Sequence, residues 1–179
     1  MSYDIRVHSA QEVNYTIDEE AVQKIVGGVF EWVGANLGRY VHSGIVEVSF
    51  ISEDEIRDVN AEYRAKPQVT DVLSFYYLPD YRSSLVTALS NVESLDPALE
   101  QAVAELLICP IQAARQAPEF DNDFGREIGR LLIHGSLHIA GFEHENVPKA
   151  VMQEMVDAEN NLFDNYSYLF KNFSWLGES

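Results

Sequence analysis

Apolar residues recur every three or four positions over residues 18–37, and this spacing predicts a helix with one buried face. A second segment, 128–140, is apolar on almost every side, which is typical of a helix that is buried all round. Asp123 precedes that segment and can act as its N-cap. Pro148 precedes a last, acidic helix that begins near residue 149 and runs past residue 163. The pattern therefore predicts three long helices.

Four shorter segments carry the patterns of strands, at residues 4–8, 45–51, 72–77 and 106–109. Within 45–51 the side chains alternate, so that Val46, Val48 and Phe50 fall on one side of the pleat. Strands and helices mingle along the chain without a strict alternation of one strand and one helix. This order favours an α+β fold.

The segments between these elements predict two further helices and a long loop. Ser52 and Glu55 form a capping box that predicts a helix reaching about Tyr63. Pro110 suits the first turn of a short helix after the strand at 106–109. Residues 78–100 hold two prolines and several serines, and we expect a long loop or lid there.

Composition bounds the class of protein. A chain of 179 residues with 46% hydrophobic and 23% charged residues predicts one globular, soluble domain over 1–179. The single cysteine, Cys109, excludes an internal disulfide and a cysteine-rich zinc site, and its apolar neighbours predict burial. We see neither a leader pattern nor an apolar run of membrane-spanning length. The expected location is cytoplasmic, with no membrane partner.

The net charge of −17 argues against a protein that binds nucleic acid through general charge attraction, because phosphate contacts need lysine and arginine. The chain has only 12 basic residues. If RNA is the substrate, the basic groups must be concentrated at the site, or a partner must deliver the RNA. The acidic last helix, with Glu154, Asp157, Glu159 and Asp164, is a candidate docking face for a basic partner, although a solvated charged face is the commoner explanation of such a run.

Three of the five histidines lie in the short stretch from His134 to His144. His134 and His138 are four residues apart, which places both imidazoles on one face of a helix. Gly141 follows where the helix can end in a left-handed residue, and the chain can then bring His144 back beside the other two. Three imidazoles with an open fourth position are the usual ligands of a catalytic zinc. We predict one zinc per chain, although imidazoles also accept nickel or iron.

Two separate blocks resemble the YbeY family of bacterial ribosome-associated endoribonucleases. The family signature HGxLHLxGYDH corresponds to HGSLHIAGFEH, which begins at His134 and ends at His144. The family's N-x-x-Y-R stretch and its T-D-V-L-S-F block are found at 60–64 and 70–75. The chain departs from the family at Tyr76, where a proline is usual, and at 104–106, where Ala-Glu-Leu replaces Gly-Asp-Ile.

This resemblance implies a mixed four-stranded sheet flanked by helices, with a metal site at the end of the buried central helix. It also implies a zinc-dependent, single-strand-specific endoribonuclease that acts in small-subunit ribosomal RNA maturation and ribosome quality control. The expected partners are single-stranded RNA and the small ribosomal subunit or one of its basic proteins, and not DNA.

The histidine motif is also similar to HExxHxxGxxH of metzincin proteases, in which a glutamate after the first histidine is the general base. Gly135 stands at that position here, so a peptide hydrolase of this type would lack its base. Phosphodiester cleavage can proceed without that glutamate. A peptide hydrolase is therefore the weaker alternative. A non-catalytic assembly factor is a third, but a structural zinc normally has four protein ligands.

Two further residues are candidates for catalysis. Arg64 can fork two phosphate oxygens, and its alternative role is a surface ion pair with Glu62 or Asp58. Glu143 adjoins a predicted ligand and can orient a histidine or shuttle a proton, or it is simply a solvated loop carboxylate.

Residues within and just after the second block each have a functional and a structural interpretation. Asp71 and Ser74 can line the cleft, and we favour a structural role for Asp71. Tyr76 and Tyr77 can stack bases, although aromatic residues in strands are more often part of the core.

Overall fold

The computed structural model describes residues 3–9, 14–39, 41–77, 102–142 and 147–177. These residues form six strands and five α-helices. In chain order they are β1 (Tyr3–Ser9), β2 (Tyr15–Thr16), α1 (Glu19–Leu37), β3 (Gly44–Phe50), α2 (Glu53–Arg64), β4 (Val72–Tyr76), β5 (Ala102–Ile108), α3 (Pro110–Gln116), α4 (Phe124–Ile139), α5 (Lys149–Tyr166) and β6 (Ser174–Trp175). Two 3₁₀ turns, Ala117–Phe120 and Ser167–Asn172, follow α3 and α5.

The main sheet has the strand order β1-β3-β5-β4 within the described chain. β1, β3 and β5 run parallel, and β4 pairs with β5 in the antiparallel direction. A sheet that is mixed in this way, with helices on both faces, confirms the predicted α+β fold. β2 and β6 pair separately as a two-residue ladder, which was not predicted because two residues carry no readable period.

The larger part of the core lies on one face of the sheet. There β3 contributes Val46, Val48 and Phe50, the three side chains that the alternation placed together. α1, α4 and α5 cover this face, and α4 lies in its middle, in contact with α1, α5, β4 and β5. Most of its residues from Ile128 to Ile139 are buried. The prediction of a central buried helix is therefore confirmed.

A smaller core lies on the opposite face of the sheet, under α2 and α3. It consists of Ile56, Leu73, Leu107 and Cys109, all buried. The burial of Cys109 confirms its predicted place in the core, and burial raises the pKa of its thiol. No helix in the described part of the chain is long and apolar enough to cross a membrane. The predicted loop at 78–100 lies outside the described residues.

Candidate active site

His134 and His138 lie one turn apart near the carboxyl end of α4, with their rings edge to face. Their Nε2 atoms are 3.1 Å apart. A tetrahedral metal that lies about 2.0–2.1 Å from each ligand nitrogen would hold two such nitrogens roughly 3.3 Å apart. The two rings therefore stand close to the separation that two histidine ligands of one metal ion need.

The outer nitrogens of both rings are held by acceptors. His134 Nδ1 is hydrogen-bonded to the carboxylate of Glu159 on α5, and His138 Nδ1 lies 2.9 Å from the backbone oxygen of Phe142. A carboxylate and a carbonyl only accept hydrogen bonds, so each Nδ1 is placed to donate, and a ring in its neutral form would then carry its lone pair on Nε2. Two lone pairs that face each other repel unless a cation lies between them. The donor set therefore fits a metal ion.

The end of α4 brings the following residues back toward these rings. Gly141 adopts φ 84°, in the left-handed region. Its amide donates to His138 O at 2.9 Å, and the amide of Phe142 donates to Leu137 O at 3.0 Å. This pair of hydrogen bonds is the Schellman motif, and it confirms the predicted left-handed end of the helix at Gly141.

The third predicted ligand, His144, and the candidate catalytic residue Glu143 lie outside the described residues. Within the described ranges there is no group of three histidine, cysteine or carboxylate side chains that could hold a metal ion. The metal set of His134, His138 and His144 therefore remains a prediction, with two of its three members placed together.

Gly135, which directly follows His134, lies where α4 packs closely against the sheet. A Cβ at this position would lie 2.3 Å from Leu106 Cδ1 and 3.0 Å from Ser74 Oγ. Ser74 also donates a hydrogen bond to the Gly135 carbonyl at 3.1 Å. Because α4 packs so closely onto β4 and β5, a side chain at the position that a metzincin fills with glutamate would require Leu106 to move.

Arg64 lies in the same cleft as the two histidines. The cleft has a volume of about 600 Å³ and is lined by Tyr63, Arg64, Thr70, Asp71, Val72, Leu73, Ser74, Phe75, Tyr76, His134 and His138. Arg64 ends α2 and is exposed, and Ala65 follows it at φ 54°. Among the described residues Arg64 forms no ion pair, so the alternative pairing with Glu62 or Asp58 is not observed.

The turn after Arg64 is held by a buried side chain. Asn60 donates its Nδ2 hydrogen to the backbone oxygen of Gln68 at 2.8 Å, and its own backbone oxygen accepts from Lys66 at 3.3 Å. The first residue of the N-x-x-Y-R block is therefore structural, since it fixes the segment that presents Arg64 to the cleft.

A network of charged groups supports the floor of the site. Glu127, which is fully buried, accepts hydrogen bonds from Arg130, Asn122 and Gln116 at 2.6 to 3.2 Å. Gln116 also donates to Asp71 at 2.7 Å. Burial alone would raise the pKa of the Glu127 carboxyl, but these hydrogen bonds and the Arg130 charge outweigh it and lower that pKa. The contacts of Asp71 agree with the structural role that we favoured.

The acidic face predicted for the last helix is divided in the structure. Glu159 points inward to His134, and Glu154 pairs with Arg39 at 2.8 Å. Asp157 and Asp164 are exposed. No sequence motif indicated the role of Glu159, because it lies 25 residues from its partner and only the packing of α5 on α4 joins them.

A protein-family model described as Endoribonuclease YbeY matches most of the chain, residues 6–167. The chain belongs to the YbeY family. This confirms the family that the two sequence blocks indicated.

Similar YbeY proteins cover much of the chain. Endoribonuclease YbeY of Staphylococcus carnosus is 35% identical over 121 residues, which span 68% of this chain and 71% of the relative. The Latilactobacillus sakei relative of the same name is 30% identical over 147 residues, or 82% and 89% of the two chains. The Bacillus subtilis relative is 31% identical over 121 residues, or 68% and 71%.

A solved structure shares the fold. The solution structure of a protein from Thermotoga maritima superposes with a TM-score of 0.53 at 23% identity, and the match covers 93% of this chain and 91% of that one. The mixed sheet with helices on both faces is therefore not particular to this member of the YbeY family.

Proposed function

We propose that this protein is a metal-dependent endoribonuclease that cuts single-stranded RNA during maturation of small-subunit ribosomal RNA. The observation that carries the proposal is the convergence of two histidine Nε2 atoms beside Arg64 in one cleft of a YbeY-family chain. A guanidinium that forms no ion pair with any described residue is suited to an anionic phosphodiester more than to a neutral peptide.

His134 and His138, together with His144, would hold the metal, and zinc is the metal that we propose. A bound zinc supplies Lewis acidity and lowers the pKa of a water molecule bound to it. The protein's own groups set the geometry. Glu159 and the Phe142 carbonyl fix the two rings with Nε2 toward the cleft, and Arg64 binds phosphate oxygens as negative charge develops on them.

Gly135 weighs against the alternative of a peptide hydrolase. A protease of the metzincin type needs a general base at this position, whereas glycine carries no side chain, and a side chain there would displace Leu106. The other alternative, a non-catalytic assembly factor, makes a different prediction, since it binds metal without cutting RNA.

The test uses labelled single-stranded and duplex RNA with the zinc-loaded protein, before and after a chelator. We expect cleavage of the single strand that the chelator abolishes and added zinc restores. His138→Ala is expected to lose both the stoichiometric zinc, measured by elemental analysis, and the activity. Retention of one zinc per chain by folded His138→Ala protein would overturn the metal site. Zinc-loaded protein that cuts no RNA would favour the assembly factor.

Arg64→Ala is expected to keep its fold and zinc but to cut RNA about 10³-fold more slowly or worse, as when one arginine is removed from a transferring phosphoryl group. Arg57→Ala is the matched control, because Arg57 lies on the same helix and pairs with Asp54 at 2.8 Å. Wild-type turnover by Arg64→Ala at low and at saturating RNA would show that Arg64 has no catalytic role.

A further inference from the structure

Three aromatic rings form a continuous strip beside the cleft. Tyr63, at the end of α2, meets Phe75 of β4 edge to face with ring centroids 5.2 Å apart. Phe75 in turn lies parallel to Tyr77, with an angle of 4° between the rings and centroids 6.4 Å apart. We call Tyr63, Phe75 and Tyr77 the aromatic strip.

Two members of the aromatic strip are open to solvent. Tyr63 is 65% exposed and Tyr77 is 54% exposed. Single exposed aromatic residues are common on protein surfaces, but here they adjoin a third ring in one ordered array. Tyr77 is thus not a core residue, in contrast to the commoner expectation for aromatic strand positions. Tyr76 is half-buried against the core, in agreement with it.

The aromatic strip is continuous with the candidate active site. Tyr63 and Phe75 line the same cleft as His134 and His138. Along β4, Ser74 faces α4, as its hydrogen bond to Gly135 shows, so Phe75 faces the other side of the sheet. Tyr77, which follows the strand, lies parallel to Phe75. Because β4 is the last strand of the described sheet, a ligand can pass from the histidines across this edge to the rings.

The charges around the strip favour bases over phosphates as its occupants. Arg64 adjoins Tyr63 on the cleft side, where a phosphate is expected. At the far end the Tyr77 hydroxyl donates to the Glu105 carboxylate at 2.6 Å. Partial desolvation of the hydroxyl, and then this hydrogen bond, raise the pKa of Tyr77 above its ordinary value. The ring is therefore held as a neutral phenol beside an anion that would repel a phosphate.

We propose that the aromatic strip stacks the unpaired bases that flank the phosphate bound at Arg64. The inference rests on the proposed function, and it names the part of the site that selects single strands. Bases in a duplex are already stacked on their neighbours, whereas splayed bases of a single strand can lie on aromatic rings whatever their identity. Recognition by the aromatic strip is thus expected to depend on single-strandedness and little on sequence.

The experiment measures binding rather than cleavage. A labelled 2′-O-methyl single strand of ten nucleotides is compared with an abasic strand of equal length and charge at one fixed salt concentration. A gel run after the titration checks that neither strand has been cut. The zinc-loaded protein is expected to bind the strand with bases more tightly. Tyr63→Leu and Tyr77→Leu should each reduce that affinity roughly 5- to 150-fold, the loss expected for one stacked base, and leave the abasic strand's affinity unchanged.

Two controls separate stacking from folding and from general exposure. Tyr77→Phe keeps the ring and loses the bond to Glu105, and it should bind like the wild type. Tyr168→Leu removes a tyrosine that is 61% exposed outside the aromatic strip, and it should also bind like the wild type. Equal binding of the two strands by the wild type, or an equal loss in Tyr168→Leu, would overturn the inference. Protein that cuts RNA yet binds both strands equally would retain the proposed function and lose only the stacking role.

Discussion

One hydrogen bond determines which nitrogen of His134 faces the cleft. Glu159 accepts from Nδ1, and the opposite nitrogen, Nε2, is the one that meets His138. The negative charge of Glu159 also makes the ring a better electron-pair donor than a neutral partner would. Glu159 is therefore a positioning residue, although it lies outside the family signature around the histidines.

Glu159→Gln is expected to weaken zinc binding about 10- to 100-fold, because the amide still accepts a hydrogen bond but carries no charge. Competition with a chromophoric chelator at fixed pH measures the affinity. Asp157→Asn is the control, since Asp157 is exposed on the same helix and accepts only from Gln153 among the described residues. Equal zinc affinities for the two variants would show that Glu159 does not act on the metal site.

At the scale of single residues, the sequence predicted the features that depend only on the spacing of residues within a short segment. His134 and His138 lie on one helix, and Gly141 ends it, so local geometry was enough to place them. The contacts of Glu159 and Glu127 could not be predicted, because each depends on how a distant segment packs against α4. The sequence left both a core and a base-stacking role open for Tyr77, since strand periodicity identifies a face but not whether another element covers it.

At the scale of elements, caps and periodicity located most of the helices closely. Asp18 and Asp123 cap α1 and α4 through hydrogen bonds of 2.8 Å to backbone amides. Ser52 and Glu55 form the predicted capping box of α2. β5 begins at Ala102, earlier than its apolar run indicated, because its polar and small first residues pair with β3 and β4. Periodicity alone thus does not show where a strand begins when its first residues are held by pairing with neighbouring strands.

The network around Glu127 joins α4 to α3 and to the start of β4, and it makes the assembly of these elements sensitive to acid. The pKa of Glu127 lies below its ordinary value of 4.5. The carboxylate therefore favours the folded state above about pH 4.5, and this contribution is lost as the pH falls through the lowered pKa. Stability should decline on the acid side of that value.

Glu127→Gln is expected to lower the free energy of unfolding at pH 7 by roughly 3–5 kcal/mol, because Arg130 loses its buried partner. The variant should also lose less stability than the wild type when the pH falls below 4.5. Urea unfolding at a series of pH values measures both effects. Glu62→Gln, which changes an exposed carboxyl, should match the wild type. A parallel acid dependence in Glu127→Gln and the wild type would show that Glu127 does not set it.

At the scale of the whole molecule, half of the 12 basic residues form ion pairs within the described part of the chain. Six basic residues of the described chain pair with carboxylates, namely Arg6, Lys24, Arg39, Arg57, Arg115 and Arg130. Arg64 has no such pair among the described residues, and it is the one arginine or lysine side chain among those that line the cleft. The chain as a whole carries a net charge of −17, so long-range forces oppose the approach of free RNA.

We expect this protein to bind small ribosomal subunits more tightly than naked single-stranded RNA at the same near-physiological salt concentration. Long-range repulsion and the release of few counterions weaken its binding to free RNA, whereas a basic ribosomal protein would attract its acidic surface. Sedimentation with purified subunits and a filter-binding titration with RNA give the two affinities. Equal or tighter binding of naked RNA would contradict recruitment through a basic partner, and would mean that the cleft alone attracts its substrate against the charge of the whole chain.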